Sequence, residues 1–230
     1  MRFVVFLIVY LYACCLCSQT YKKYDVVLLP MYGQFELQPD LYYKSGNDSL
    51  MIETLKFYIS GIKLIDKGKV VWIEPYSFHL VDMSELKTLC LHLTIPSSVF
   101  YDQLKFNLGI DSVTNVAGAM GGDLDPTKGM YWTWQSGYIN FKLEGKSNVC
   151  KTRNNEFQLH LGGYKDPFYN LKTLTLNVSY AEKTNIILDI EQVLKTIDLS
   201  KQNHIMSPGP ESILLSEKVV KSVYTQKVEK

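Results

Sequence analysis

Apolar and polar residues alternate with a period of two over most of the chain. Successive side chains of a β-strand point to opposite faces, so this period is typical of strands that are buried on one face. Short runs of this kind, bounded by turn residues, predict an all-β fold, a two-sheet antiparallel β-sandwich of the immunoglobulin-like type. The apolar positions of these runs are Leu89, Leu91, Leu93 and Ile95; Leu104, Phe106, Leu108 and Ile110; Ile139, Phe141 and Leu143; and Leu174, Leu176, Val178 and Tyr180.

Turn and helix signals complete this picture. The run Asp-Lys-Gly-Lys at 66–69 separates two apolar stretches and predicts a hairpin turn, since glycine readily adopts a positive φ. Helices are expected to be short and confined largely to the C-terminal third. Gly-Pro-Glu at 209–211 predicts a helix start, with an apolar stripe that continues to about residue 226, and a shorter helix is expected over Glu191–Thr196.

The first 18 residues differ from the rest of the chain. Arg2 precedes an apolar run over residues 3–12, and small residues follow it. This order predicts a secretory signal peptide over 1–18 and one β-sandwich domain over 19–230, in the periplasm or secreted. The run is too short for a transmembrane helix, and we expect none elsewhere. A bulky tyrosine lies two residues before Cys14, which makes a lipoprotein the less favoured alternative.

The charge balance and the missing motifs argue against a nucleic-acid partner and against an enzyme. The chain has 24 basic and 23 acidic residues without a basic stripe, so we expect no nucleic-acid partner. It has no Gly-x-Ser-x-Gly elbow and no glycine-rich phosphate loop before a helix, so we do not expect an enzyme. Cys90 and Cys150 are the cysteines that remain after the predicted leader. They either form a disulfide or stay as buried free thiols, and the sequence leaves both alternatives open.

The most distinctive segment is Gly-Met-Tyr-Trp-Thr-Trp-Gln-Ser-Gly-Tyr at 129–138. If residues 130–143 form one strand, parity places Met130, Trp132 and Trp134 on the face opposite the apolar core face. Two large aromatic side chains on that face either cover the sheet or line a site. The residue pattern by itself favours simple covering of the sheet.

Several segments together resemble the MbnP-like copper-binding family of periplasmic proteins. The similarity covers nearly all of the chain after the predicted leader. The segments that carry it are Leu-Lys-Phe-Tyr-Ile-Ser at 55–60, Asn-Leu-Gly-Ile-Asp at 107–111, Gly-Asp-Leu-Asp-Pro at 122–126, the aromatic run at 129–138, His-Leu-Gly-Gly at 160–163 and Ile-Met-Ser-Pro-Gly at 205–209.

The resemblance implies a secreted β-sandwich that binds copper. In some members a dihaem peroxidase-like partner enzyme oxidises one tryptophan to kynurenine, and that residue holds the metal together with histidines. Those members carry a histidine directly after an asparagine, whereas here Asn115 is followed by Val116, so one ligand is missing. The copper-site residues that the resemblance and the available donors indicate are His160, Met130, Trp132, Trp134, His204 and Met206.

The donor chemistry agrees with copper(I), which accepts thioether and imidazole ligands. None of the four histidines forms a closely spaced metal-binding pair with another. Calcium held by Asp111, Asp123 and Asp125 is the alternative metal, although capped turns explain these residues more simply. The alternative function is a non-enzymatic carbohydrate- or surface-binding module. A flat, exposed row of aromatic side chains would favour sugar, and aromatic side chains folded around His160 and a methionine would favour metal.

Overall fold

A computed structural model describes residues 19–45, 48–134 and 137–226. They form two packed β-sheets with short helices, which confirms the predicted all-β sandwich. The predicted signal peptide, residues 1–18, lies outside the described residues. Within the described ranges, no helix has the length and apolar character needed to cross a membrane.

The regular elements follow one another along the chain with few helices. The strands are β1 (Tyr21–Tyr32), β2 (Phe35–Glu36), β3 (Tyr42–Ser45), β4 (Asp48–Asp66), β5 (Lys69–Ile73), β6 (Phe78–Asp82), β7 (Cys90–Pro96), β8 (Gln103–Leu108), β9 (Tyr131–Trp132), β10 (Gly137–Ser147), β11 (Glu156–Gly162), β12 (Lys172–Asn177), β13 (Lys183–Asp189), β14 (His204–Ile205) and β15 (Val223–Thr225). The helices are α1 (Ser112–Ala117), α2 (Ile190–Leu194) and α3 (Pro210–Lys221), with short 3-10 helices at Leu86–Leu89, Gly122–Leu124 and Pro126–Lys128.

The smaller sheet is built around β1, which pairs antiparallel with β7 and β2 and parallel with β13. The larger sheet runs in the order β12–β8–β4–β10–β11–β14, and β4 also pairs with β3, β5 and β6. Alternate residues of both sheets point into a shared core, because apolar burial stabilises the fold most where two apolar faces meet. Core residues from the two sheets include Tyr24, Val26, Leu28, Leu91, Leu93, Leu55, Phe57, Phe106, Phe141, Leu143, Phe157, Leu159 and Leu161.

Two of the strand pairs that the structure describes are parallel, although the sequence predicted an antiparallel sandwich. They are β1 with β13 and β11 with β14. Parallel neighbours need a long connection, and in both cases several other elements lie between the paired strands in the sequence. The alternation of apolar residues is the same in both directions, so it does not reveal this difference.

The predicted turn and C-terminal helices are confirmed with shifted ends. Lys67 and Gly68 join β4 to β5 with φ values of 48° and 79°, as a two-residue hairpin of type I′ requires. The helix α3 ends earlier than expected, because the chain turns at Ser222 and adds β15 to the smaller sheet. The helix α1 was not expected. Its cap is Asp111, whose Oδ1 accepts a hydrogen bond from the Thr114 amide at 2.8 Å.

The prediction of one strand over residues 130–143 is wrong. This segment forms the hairpin β9–β10, in which Trp132 pairs with Gly137. An irregularity in the pairing with β11, between Ile139 and Phe141, also breaks the expected parity. Phe141 therefore faces the shared core, while Ile139 joins a second apolar cluster on the other face of the larger sheet. This outer cluster consists of Tyr58, Leu80, Ile110, Leu124, Met130, Trp132, Tyr138 and Ile139.

Candidate functional site

His160 lies on the outer face of the larger sheet. In β11, Phe157, Leu159 and Leu161 point into the core, as the alternation predicted, so His160 points the opposite way. Its neighbour across the strand pair is Lys142 of β10. Despite its position on an outer face, His160 is only 4% exposed. A buried imidazole needs polar partners, and its partners define the site.

One ring nitrogen of His160 is bound and the other is free. Nε2 lies 2.7 Å from Oε1 of Glu144, which is also on β10. Nδ1 is buried and has no hydrogen-bond partner among the described residues. A neutral imidazole that donates from Nε2 to a carboxylate carries its lone pair on Nδ1. The lone pair of Nδ1 is therefore fixed in orientation and available to a metal ion inside the protein.

Glu144 is held as a carboxylate. Burial alone raises the pKa of Glu144, but the hydrogen bond from His160 and the positive charge of Lys142 outweigh it and lower the pKa to about 2. The Lys142 ammonium lies 3.6 Å from the same carboxylate oxygen and donates a hydrogen bond to the Gly129 carbonyl at 3.3 Å. Lys142 therefore ties β10 to the backbone just before Met130.

Trp132 and Met130 lie on the same outer face as His160. The indole of Trp132 packs on Gly162, where an added Cβ would lie 2.6 Å from its Cζ3 atom. Gly162 follows His160 by two residues on the same side of β11. Trp132 is 5% exposed, and its Nε1 is buried without a hydrogen-bond partner among the described residues. Met130 is fully buried in the outer cluster with Trp132.

The other three predicted residues lie nearer the surface. Trp134 is 65% exposed in the turn after β9, with its ring centroid 5.9 Å from that of Trp132. His204 is exposed and pairs with Gln158 in the parallel β11–β14 register. β14 ends at Ile205, which lies opposite Leu159, and Met206 follows it half-buried. Of the two, Met206 is therefore the less exposed.

The calcium alternative finds no support in the geometry. Asp111 caps α1, and Asp125 accepts a hydrogen bond from the Thr127 amide at 2.8 Å. Asp123 accepts from the Leu80 amide and forms an ion pair with Lys128 at 2.7 Å. In the described part of the chain these three carboxylates do not converge on one point. Asp111 and Asp125 act as the caps that the sequence also allowed, and Asp123 connects its loop to β6.

The aromatic residues do not form an exposed row for stacking a sugar. Trp132 and Tyr138 are buried, and Tyr131 is half-buried with its ring edge against Tyr138 at a centroid distance of 4.9 Å. Among these aromatic side chains Trp134 alone is largely exposed. Met130 and Trp132 are instead buried together in the outer cluster, so the flat, exposed row that would favour carbohydrate is not found among these residues.

Both cysteines of the described ranges, Cys90 and Cys150, are free thiols. Cys150 is buried in the core between the sheets, and Cys90 is half-buried on the outer face of the smaller sheet. The structure therefore agrees with the free-thiol alternative.

Comparison with known proteins points to one family. The family model described as MbnP matches residues 24–207. Among solved structures, MbnP from Methylosinus trichosporium is similar at 15% sequence identity and a TM-score of 0.59, over 83% of this chain and 83% of that chain. At this identity the likeness shows a shared fold. Comparison with curated protein sequences finds no match.

Proposed function

Because the chain belongs to the MbnP family, we propose that it is an exported copper-binding protein, not an enzyme, with His160 as a metal ligand. Family membership confirms the resemblance found in the sequence, and it supports a function related to copper. Export rests on the composition of residues 1–18. It is tested by recovering the protein from the periplasm or medium and finding that its sequence starts at about residue 19.

The main support for the copper proposal is that one ring nitrogen of His160 has a hydrogen-bond partner and the other has none among the described residues. Histidines that ligate metals characteristically donate their second ring N–H to a carboxylate, which fixes the ring and raises the basicity of the ligating nitrogen. Glu144 occupies this position at Nε2, and Nδ1 is left buried without a described partner. Leaving a buried acceptor unpaired costs about 1–3 kcal/mol, which metal binding at Nδ1 would recover.

The surroundings of His160 favour copper(I) over harder ions. The donors proposed for this site are the His160 imidazole and two thioethers, Met130 in the outer cluster and Met206 half-buried after β14. Copper(I) accepts both types, whereas calcium and magnesium require oxygen. Glu144, the nearest carboxylate, is already engaged by His160 and Lys142. His204 is exposed in β14 and would join the site only if this strand moved inward.

Trp132 and Trp134 have different roles in this proposal. Trp132 is buried against Gly162, so it shapes the apolar wall of the site. Trp134 is exposed beside it and is the tryptophan that a dihaem peroxidase-like partner enzyme would reach. Oxidation of either indole is detected by intact mass and peptide mapping of protein isolated from its own host.

The test is a copper(I) titration against a chromogenic competing chelator, with unmodified protein and with protein exported by its own host. Both are prepared with the substitution Cys90→Ser, because a thiol is a competing soft ligand. We expect one equivalent of copper(I) to bind. Removal of the carboxylate partner of a metal-binding histidine weakens binding by about 10–100-fold, so loss of the ligand itself in His160→Ala should weaken it by roughly 100-fold or more.

The matched control is His79→Ala. His79 also contacts a carboxylate through Nε2, at 2.8 Å from Glu74, but it points away from its neighbour Leu80, which belongs to the outer cluster. Its removal should leave copper affinity unchanged. Equal affinity of His160→Ala and its parent, or no binding by the host-exported form, would contradict the proposal.

A further inference from the structure

A second cluster of potential metal ligands lies on the outer face of the smaller sheet. Asp25 is in β1, and Cys90 and His92 are two residues apart in β7. In the antiparallel register Asp25 is directly opposite His92. The intervening Leu91 points into the core, so the three polar side chains share the face turned away from it. The core and both sheets separate this cluster from His160.

The Cys90 sulfur and an Asp25 carboxylate oxygen both lie close to the same ring nitrogen of His92. His92 Nδ1 lies 2.8 Å from Asp25 Oδ1 and 3.8 Å from Cys90 Sγ, and all three atoms are within 4.8 Å of one another. A Cys–His–Asp catalytic triad needs the acid and the nucleophile on different ring nitrogens, because the ring passes a proton between them. Here both partners contact Nδ1, so the cluster is not built for nucleophilic catalysis.

The same convergence matches the spacing of ligands around a tetrahedral ion. With Zn–S of about 2.3 Å and Zn–N of about 2.0 Å, tetrahedral ligand atoms are roughly 3.3–3.6 Å apart. The observed S···N distance of 3.8 Å is within a small side-chain rotation of this value. The N···O distance of 2.8 Å must lengthen by about half an ångström when the ion replaces the shared proton.

We propose that Asp25, Cys90 and His92 form a surface site for a divalent transition-metal ion of the zinc type, with a fourth position open to solvent. A thiolate, an imidazole and a carboxylate are the ligand types that Zn²⁺ takes. The hard carboxylate distinguishes this set from the imidazole and thioether donors around His160 and favours a divalent ion over copper(I). The side chain of His92 is 70% exposed, so the ion and a fourth ligand can approach from solvent.

The charges around the site are mixed. Binding requires the Cys90 thiolate, whereas burial and the charge of Asp25 raise the pKa of this thiol, and Lys183 opposes them. Lys183 pairs with Asp25 across β1 and β13 and is the cation that repels the incoming ion. The thiolate and carboxylate together balance the charge of a divalent ion, and zinc binding displaces the thiol proton.

The test uses purified, reduced protein with its free thiols counted, titrated with Zn²⁺ by calorimetry and with Co²⁺ by absorption. We expect one equivalent of each to bind at this site, and Co²⁺ to show a thiolate charge-transfer band together with tetrahedral d–d bands. Cys90→Ser should abolish the charge-transfer band and weaken Zn²⁺ binding by roughly 100-fold or more. His92→Ala should weaken it similarly, and Asp25→Asn should weaken it by about 10-fold and keep the band.

Two controls separate this site from the copper proposal. Cys150→Ser removes the thiol that is buried in the core, and His160→Ala removes the proposed copper ligand. Neither should change the Co²⁺ spectrum or the Zn²⁺ affinity. The absence of a charge-transfer band in the parent protein at saturating Co²⁺, or Zn²⁺ affinity that is the same in Cys90→Ser as in the parent, would overturn this proposal. Either result leaves the copper titration of His160 unaffected.

Discussion

Replacing Gly145 with alanine is expected to destabilise the protein by about 3 kcal/mol or more. Gly145 lies in β10 opposite a bulge of β4, directly after Glu144. A Cβ at this position would lie 2.0 Å from the Met51 carbonyl oxygen and 2.8 Å from Cζ of Phe157. The Phe157 ring can rotate, but the Met51 carbonyl belongs to the central strand of the larger sheet. Relieving the contact between the new Cβ and the Met51 carbonyl oxygen therefore requires β4 and β10 to move apart beside Glu144.

The measurement is denaturant unfolding of Gly145→Ala beside the control Gly121→Ala. Gly121 has an extended backbone, and a Cβ there would meet no atom within 4 Å. The control should stay within about 0.5 kcal/mol of the parent. A variant at position 145 that is as stable as the control would show that the sheet adapts at the bulge and that the close contact is unimportant.

The sequence predicts the strands of the core well, because one physical signal specifies them. The alternation around Leu91 and Leu159 places these side chains inward, and the structure confirms both. Pairing direction and pairing order are not encoded in that alternation, so the parallel β1–β13 and β11–β14 pairs could not be foreseen. The irregularity between Ile139 and Phe141 could not be foreseen either, because it changes which face the side chains occupy without any residue type that marks it in the sequence.

The candidate site was predictable only in part. Parity places His160 on the outer face, and the aromatic run identifies Trp132 as unusual. The contributions of Glu144 and Gly162 were missed, because both depend on which strand lies beside β11. Alternation in β10 shows that Glu144 is on the outer face, but the register that brings it to His160 appears only in the fold. The same holds for Asp25 and His92, which are far apart in sequence and directly opposed in space.

Replacing Glu144 with glutamine is expected to lower stability by about 3 kcal/mol at neutral pH, and by progressively less as the pH falls. The folded-state pKa of Glu144 is about 2, against an ordinary glutamate value of about 4.5. A carboxylate whose pKa is depressed by folding stabilises the folded state fully above the unfolded pKa. That contribution is lost as the pH falls through the folded pKa, so the window runs from about 4.5 down to about 2. One pKa unit corresponds to about 1.4 kcal/mol, which gives the expected magnitude.

The measurement is the unfolding free energy of the parent and Glu144→Gln between neutral pH and about pH 2.5, with Glu85→Gln as the control. Glu85 forms an exposed ion pair with Lys87 at 3.2 Å, and such pairs contribute at most about 1 kcal/mol. The difference between the parent and Glu144→Gln should shrink by more than half across this range, while the control stays close to the parent throughout. A constant difference would mean that glutamine disturbs packing rather than charge, and that His160 does not depend on an ionised partner. If the difference shrinks as expected, copper(I) affinity should also fall by about 10–100-fold in Glu144→Gln at neutral pH, because the proposed ligand would lose the group that orients it.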